Sequence, residues 1–205
     1  MIAIIDYGVG NLFSLCSSLE YIGADCVVTS DKNEIKRADK LILPGVGAFA
    51  DAAKKLDSFG LSSLIKEQAA DGKDIMGICL GMQMLFEKSY EYGEHSGLGL
   101  LQGSVVPMKG YIPESLKVPH IGWNALDFKK DHKLFKYIKN RDCVYFVHSY
   151  YACDCEDSVI ATAQYGKPLT AAVAHGNIMG CQFHPEKSGT VGLNILRAFC
   201  EEENK

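Results

Sequence analysis

Short apolar runs alternate with helix-like patterns along the first half of the chain. Residues 2–6 form an apolar run of strand length, and Asn11 then offers an N-cap to a helix that ends at Gly23. The same reasoning predicts strands at residues 25–30, 40–44 and 73–79, and helices at residues 61–72 and 81–87. Apolar strands that alternate with helices are typical of a parallel sheet covered on both faces.

The second half of the chain consists mainly of closely spaced strands. They are predicted at residues 104–108, 118–128, 142–152, 159–165 and 169–183. Gly176-Asn177 favours a hairpin turn inside the last of these runs, and a final helix is predicted at residues 190–202. Because neither a linker nor an internal repeat interrupts the pattern, we expect one α/β domain over residues 1–205.

Composition and charge narrow the classes of protein that fit this chain. Apolar residues make up 47% and charged residues 22% of the 205 residues, which excludes a disordered or fibrous protein. The net charge of −4 argues against a nucleic acid or an anionic membrane as a partner. No apolar run approaches membrane-spanning length, and the start of the chain lacks the pattern of a secretory signal. We therefore expect a cytoplasmic protein.

The eight cysteines do not form a metal-binding pattern. They contain no CxxC pair, and four zinc ligands at finger or ribbon spacing are absent. We expect most of them to be small buried side chains in a reducing compartment, and we expect neither a metal nor a cofactor. The role of the close pair Cys153 and Cys155 stays open.

The segment Gly77-Ile-Cys79-Leu-Gly81 lies between a predicted strand and a predicted helix. It has the layout of an elbow, in which two glycines flank a nucleophile on a sharp turn. The start of the helix would favour the thiolate of Cys79, and the Leu80 amide would donate to an oxyanion. The alternative is a buried cysteine with incidental glycines beside it.

His184 is the best candidate for the base that a nucleophilic cysteine needs. It ends an apolar strand, and the following Pro185 keeps it in an extended conformation. In an extended segment Glu186 points to the same side, where its carboxylate could orient the imidazole. The alternative is a strand-end histidine beside a solvated glutamate. His120 and His148 lie in the unusual strings PHIGWN and FVHSYY.

The string LPGVGAF at residues 43–49 follows a predicted strand. Its two glycines would let the backbone approach a ligand closely. A phosphate-binding loop is one interpretation, but the string lacks the G-K-S/T ending of a P-loop and the spacing of a dinucleotide fingerprint. Taken alone, it predicts a tight turn.

Together, LPGVGAF, GICLGMQ and HPEK, in this order, resemble the class I (triad-type) glutamine amidotransferases. The resemblance runs from DYGVGN to KSGTVGLNIL and so covers essentially the whole chain. Within the class, PHIGWN and YFVHSYY are similar to the glutaminase subunits of imidazole glycerol phosphate synthase. The resemblance implies a single-domain α/β fold with a mixed, mostly parallel central sheet flanked by helices.

The resemblance also implies a role for each matching residue. Cys79 would be the nucleophile, His184 the general acid and base, and Glu186 its orienting partner. Residues expected to hold glutamine, by side chain or backbone, are Gly47, Leu80, Gln83, Glu91, Ser149 and Tyr150. The oxyanion strand would be Gly45, Val46 and Gly47, and the resemblance implies that this strand changes its backbone orientation on activation. Residues expected near a partner are Asn11, His120, Ile121, Gly122, Trp123 and Lys187.

The implied substrate is L-glutamine, and the implied partner is a (βα)8-barrel cyclase subunit that forms a heterodimer with this chain. That partner would use the ammonia to make imidazole glycerol phosphate and an aminoimidazole carboxamide ribotide. Three alternatives stay open at this stage. They are a paralogous glutaminase that serves an amidino-sugar or other synthase, a cysteine peptidase-like hydrolase with the same elbow, and a non-catalytic scaffold.

Overall fold

The computed structural model describes residues 1–201. The strands are β1 Ile2–Ile5, β2 Cys26–Thr29, β3 Lys40–Leu43, β4 Asp74–Ile78, β5 Phe86–Ser89, β6 His95–Ser96, β7 Leu101–Pro107, β8 His120–Phe128, β9 Cys143–His148, β10 Tyr150–Cys153, β11 Val159–Tyr165, β12 Lys167–His175 and β13 Ile178–Cys181. The α-helices are α1 Leu12–Tyr21, α2 Lys32–Arg37, α3 Phe49–Ser58, α4 Leu61–Ala70, α5 Leu80–Met84 and α6 Gly189–Cys200. Short 3₁₀ turns cover Lys133–Phe135 and Pro185–Lys187.

Nine strands form one mixed sheet in the order β2-β1-β3-β4-β13-β12-β11-β8-β9. The strands from β2 to β13 in this order pair in parallel, and the strands from β13 to β9 pair antiparallel. The expected mixed sheet flanked by helices is therefore confirmed. Because β4 and β13 are neighbouring parallel strands, the loops at their carboxyl ends meet at one edge of the sheet.

Alternate residues of the parallel strands pack into two separate cores. Ile2 and Ile4 of β1 face a core that contains residues of α1 and α6. Ala3 and Ile5 face the opposite core, which contains residues of α2, α3, α4 and α5. This alternation buries both faces of the parallel half, as the apolar strands predict.

A second sheet of four strands, in the order β10-β7-β5-β6, lies beside the main sheet. Residues 81–87 were predicted to form a helix, but α5 ends at Met84 and Phe86 begins strand β5. The predicted strand at residues 142–152 is also two strands, β9 and β10, which separate at Ser149 and join different sheets. That switch between sheets places Ser149 and Tyr150 at the edge of a cleft.

Several other elements differ from the sequence-based predictions. Helix α2 was not predicted because it has one buried apolar residue, Ile35, and depends on a cap in which Asp31 accepts from two backbone N–H groups. Helix α3 was missed although Phe49, Ala52 and Leu56 are buried at helical spacing. The final helix ends at Cys200 rather than at residue 202, and Glu202 lies outside the described residues.

The prediction that most cysteines are buried was wrong. Cys79, Cys155 and Cys181 are buried, whereas Cys143 is exposed and the other four are half-buried. All eight are free thiols. Within residues 1–201, no helix is both long and apolar enough to cross a membrane.

Candidate active site

Cys79 occupies a sharp turn between β4 and α5. It is a non-glycine residue with a φ of 54°, which is the strained backbone expected of a nucleophile elbow. A Cβ atom on Gly81 would lie 1.8 Å from the Leu43 carbonyl oxygen, and one on Gly77 would lie 2.6 Å from the Met82 Cα. The two glycines are therefore required by close backbone packing, and the alternative of incidental glycines is excluded.

His184 and Glu186 follow β13, the strand next to β4, and the structure brings all three predicted triad residues together. The Cys79 amide donates to the Cys181 carbonyl at 2.8 Å, which ties the elbow to the end of β13. His184 Nδ1 lies 2.8 Å from Glu186 Oε1, and both side chains are 3% exposed. The expected contact between the two side chains is observed and His184 is extended as expected, but the extended conformation does not continue to Glu186. Residues 185–187 form a 3₁₀ turn that folds the carboxylate back to the imidazole.

Electrostatics favour a protonated His184. Burial by itself lowers the pKa of this imidazole, but hydrogen bonds to Cys79 and Glu186, together with their negative charges, raise the pKa of His184 to about 9. Burial raises the pKa values of the neighbouring Tyr7 and Cys181, and the charge of Cys79 also acts on both in the same direction. An imidazolium beside Cys79 is the partner that stabilises a thiolate.

The predicted oxyanion donor is already occupied. The Leu80 amide donates to the Gly45 carbonyl at 3.3 Å, so a backbone oxygen stands at the place where the amide would otherwise meet an oxyanion. A Cβ on Gly45 would lie 2.8 Å from the Gly81 amide nitrogen and 2.9 Å from the Tyr7 hydroxyl, so only glycine fits there. Gly47 has a φ of +93°, and a Cβ on it would meet nothing within 4 Å.

A cavity of about 710 Å³ opens in front of Cys79 and His184. Its lining includes every residue that the sequence analysis expected to hold glutamine, namely Gly47, Leu80, Gln83, Glu91, Ser149 and Tyr150. Glu91 is fixed by accepting the Phe49 amide at 2.5 Å, which joins the loop after β5 to the start of α3. Burial, followed by the charge of Glu91, raises the pKa of Tyr150. The cavity is large enough for an amino acid.

Gln182 is a site residue that the sequence analysis missed. It is fully buried, and its Nε2 donates to the Cys79 sulfur at 3.7 Å. Its Oε1 accepts from Gln83 Nε2 at 2.9 Å, and the same Gln83 nitrogen donates to the Tyr150 carbonyl at 3.2 Å. A polar residue within the apolar end of the strand that leads to His184 was the signal that could have found it.

The six residues expected near a partner are not all at the surface. Ile121 and Trp123 are 59% and 58% exposed, Lys187 is exposed at the rim of the cavity, and Gly122 is half-buried. His120 is 4% exposed and lies on the opposite side of β8 from Ile121 and Trp123, so its ring is not part of the exposed surface.

Asn11, the last of the six, lies behind the triad. It lines a small cavity of about 10 Å³ with His184 and Glu186. Glu186 Oε2 is buried and has no hydrogen-bond partner among residues 1–201. In the same part of the chain, no group of three or more histidine, cysteine, aspartate or glutamate side chains could hold a metal ion.

Comparison with known proteins shows the family of the chain. The family model described as Glutamine amidotransferase class-I matches residues 3–202. Imidazole glycerol phosphate synthase subunit HisH of Sulfurimonas denitrificans is 52% identical over 206 residues, covering 100% of this chain and 99% of the relative. The subunit of the same name from Caldanaerobacter subterraneus subsp. tengcongensis is 51% identical, covering 98% of each chain. The chain belongs to the class I glutamine amidotransferases, in the HisH family.

The fold of this HisH-family chain is shared more widely. The structure of PurLQS from Thermotoga maritima superposes with a TM-score of 0.71 over 97% of this chain and 96% of that one. Its sequence is 22% identical, so the likeness concerns the fold alone. The family is that of glutamine amidotransferases rather than of cysteine peptidases.

Proposed function

We propose that this chain hydrolyses L-glutamine to glutamate and ammonia through a thioester on Cys79, and that it delivers the ammonia to a (βα)8-barrel cyclase subunit. The observation that carries the proposal is the contact of His184 with both Cys79 and Glu186, with Cys79 and His184 lining the 710 Å³ cavity. The relatives are named as subunits of imidazole glycerol phosphate synthase, which supports a synthase partner that makes imidazole glycerol phosphate. The second product, an aminoimidazole carboxamide ribotide, and the place of the reaction in histidine biosynthesis are part of the proposal. The free thiols fit a cytoplasmic location.

The reaction follows from the protonation states of the triad. The Cys79 thiolate attacks the side-chain amide carbon of glutamine and forms a tetrahedral oxyanion. The His184 imidazolium gives its proton to the departing nitrogen, and ammonia leaves as the thioester forms. His184, now neutral, takes a proton from water, which attacks the thioester and releases glutamate. Glu186 holds the imidazole orientation through both steps.

The cavity offers groups that match the rest of the substrate. The α-ammonium of glutamine needs acceptors, and the Glu91 carboxylate and the Gln83 Oε1 atom are available on the cavity wall. Backbone groups of Gly47 and Ser149 line the same wall. Because both N–H groups of the Gln83 amide are used within the protein, its oxygen is the atom that faces a ligand.

Full activity requires a rearrangement of the oxyanion strand. Stabilising the tetrahedral oxyanion needs N–H donors, and the Leu80 amide now donates to the Gly45 carbonyl. The strand Gly45–Gly47 must rotate this carbonyl away before catalysis. We infer that docking of the cyclase subunit drives the rotation, so that ammonia is released only when an acceptor is present. This coupling matters because free ammonia near neutral pH becomes ammonium and loses its nucleophilic lone pair.

Substitution Cys79→Ala tests the catalytic assignment. In the complex with the cyclase subunit, the variant should release no measurable glutamate from glutamine, yet it should still support synthesis from added ammonia, because the acceptor chemistry lies in the partner. Glutamate release and product formation from the ribulosyl aminoimidazole nucleotide are the two measurements.

Selective alkylation of Cys79 by an electrophilic glutamine analogue in the unmodified chain is the control. Glutamate release by the variant at the wild-type rate contradicts the catalytic assignment. If the unmodified complex hydrolyses glutamine but does not use the ribulosyl aminoimidazole nucleotide, the pathway assignment is wrong and a paralogous synthase is the partner.

A further inference from the structure

Two buried histidines outside the triad form a hydrogen-bonded pair. His120 of β8 and His148 of β9 lie directly opposite each other in the antiparallel register, and they are 4% and 7% exposed. His120 Nδ1 lies 3.1 Å from His148 Nε2, and His148 Nδ1 lies 2.8 Å from the Tyr150 carbonyl oxygen. His148 also lines the cavity in front of Cys79. No catalytic step described above uses either ring.

The Tyr150 carbonyl fixes which ring nitrogen carries each proton. A carbonyl oxygen can only accept, so His148 Nδ1 must carry a hydrogen, and in the neutral ring Nε2 is then an acceptor. His120 must therefore donate from Nδ1, which leaves its own Nε2 to accept from Asn124 Nδ2 at 3.5 Å. Asn124 Nδ2 also donates to the Gln164 carbonyl at 2.9 Å, which sets the orientation of that amide.

The surroundings keep both rings neutral. His120 is stacked between Tyr165, at 4.0 Å between centroids, and Phe146, at 5.0 Å. Burial lowers the pKa of His120 to about 4. Burial is also the main reason that the pKa of His148 is lowered to about 4, and the charges of His120 and His184 add to this. A neutral pair keeps its donor and acceptor directions through the physiological pH range.

The same carbonyl also fixes the amides that lead to the nucleophile. Tyr150 accepts from Gln83 Nε2 as well as from His148, so both of its lone pairs are used. This orientation makes Gln83 donate to Gln182 and makes Gln182 present an N–H to the Cys79 sulfur. Two chains of hydrogen bonds therefore meet at the Tyr150 carbonyl oxygen. One runs through Gln83 and Gln182 to the Cys79 sulfur. The other runs through the two histidines to β8, whose opposite face carries the exposed Ile121 and Trp123.

We propose that His148 and His120 are positioning residues for the glutaminase reaction. Acting through the Tyr150 carbonyl, they hold the backbone of Ser149 and Tyr150 at the cavity wall and orient the amide that donates to Cys79. Neither ring exchanges a proton with the substrate. This inference rests on the proposed function, because glutamine is the ligand that the positioned wall binds.

Variants with asparagine or glutamine in place of each histidine test the roles of the two ring nitrogens separately. In His148→Asn the side-chain amide replaces the Nδ1 donor, whereas in His148→Gln it replaces Nε2 and leaves the Tyr150 carbonyl with one donor. We expect His148→Gln to lower kcat/KM for glutamine about tenfold in the complex with the cyclase subunit, mainly through KM. His148→Asn should recover at least about threefold of this loss. For the same reason His120→Asn should be less impaired than His120→Gln.

Nitrogen NMR of the unmodified full-length chain gives a second measurement that needs no variant. Both rings should be neutral and protonated at Nδ1 from about pH 5.5 to pH 8. An Nε2-protonated ring, an imidazolium at pH 6, or equal loss of kcat/KM in folded His148→Asn and His148→Gln overturns the proposal. If the unmodified complex releases no glutamate, the proposed function fails instead, and the NMR result still decides the arrangement of the pair.

Discussion

At the residue scale, the environment of His184 gives the site its chemistry. The ring is buried, and burial favours the neutral form, yet the adjacent Cys79 and Glu186 make the charged form the stable one and raise the pKa to about 9. The sequence could suggest the partners, because Cys79 lies in a glycine-flanked elbow and Glu186 lies two residues from His184. The sequence could not show how far burial and the neighbouring charges shift the pKa of His184, because that depends on how closely the ends of β4 and β13 approach each other.

This balance predicts a pH dependence of stability. The folded-state pKa of His184 is raised above its unfolded value of about 6.5, so its stabilisation is complete below pH 6.5 and is lost as pH rises through 9. The free energy of unfolding of the unmodified chain, relative to His184→Gln, should fall by up to about 3 kcal/mol between pH 6 and pH 10. Urea unfolding of both chains across this range measures the difference.

A Cys79→Ala chain is the matched comparison for the pH series. It keeps the Glu186 contact and loses the Cys79 charge, so its pH-dependent loss should be present but smaller. A difference in unfolding free energy that stays constant from pH 6 to pH 10 would show that folding does not raise the pKa of His184.

At the element scale, the elbow depends on close contacts among the backbones of β3, β4 and α5, and not on the turn at Cys79 alone. The glycines on either side of Cys79 let α5 approach β3 and β4 more closely than any side chain allows. A strand-glycine-nucleophile pattern was enough to predict this turn from the sequence. The length of α5 was not predicted, because Phe86 leaves the helix to pair with Leu101 of β7 in the second sheet, and the local helical pattern does not show that pairing.

Two glycine variants distinguish close packing from backbone conformation. Gly81→Ala should destabilise the fold by at least about 3 kcal/mol, because its Cβ would lie 1.8 Å from the Leu43 carbonyl oxygen. Gly176→Ala, in the exposed hairpin with a φ of +57° and open space around it, should cost only about 1 kcal/mol. Urea unfolding gives both values. Equal costs would mean that α5 moves to accept the extra methyl group.

At the scale of the whole molecule, the catalytic wall and the candidate partner surface lie at one end of the main sheet. β8 carries His120 on its buried side and Trp123 on its exposed side. One strand therefore contributes to both the catalytic wall and the candidate partner surface. The alternation of apolar strands and helices predicted the parallel half and its two cores. The partner surface was predictable only through the family resemblance, since composition alone favours a buried tryptophan. That the chain forms a single domain stays a prediction.

The arrangement predicts how an exposed tryptophan controls turnover. The isolated chain should hydrolyse glutamine slowly, because the Leu80 amide is held by the Gly45 carbonyl, and the cyclase subunit with its nucleotide should raise the rate. Trp123→Ala should weaken binding of that subunit about thirtyfold, as loss of an aromatic interface anchor does, without altering the unfolding of the isolated chain. Titration of glutamate release against the partner concentration measures both effects.

Tyr21→Ala supplies the matched control, because Tyr21 is 80% exposed at the far end of α1, away from the cavity. Removing this ring should leave partner binding unchanged. At saturating concentrations of the partner, the Trp123→Ala complex should approach the wild-type rate of glutamate release. The substitution lowers only the affinity for the partner and leaves the triad and the oxyanion strand intact. Full turnover by the isolated chain would instead show that the Gly45 carbonyl leaves the Leu80 amide without help, and that the partner receives ammonia but does not control its release.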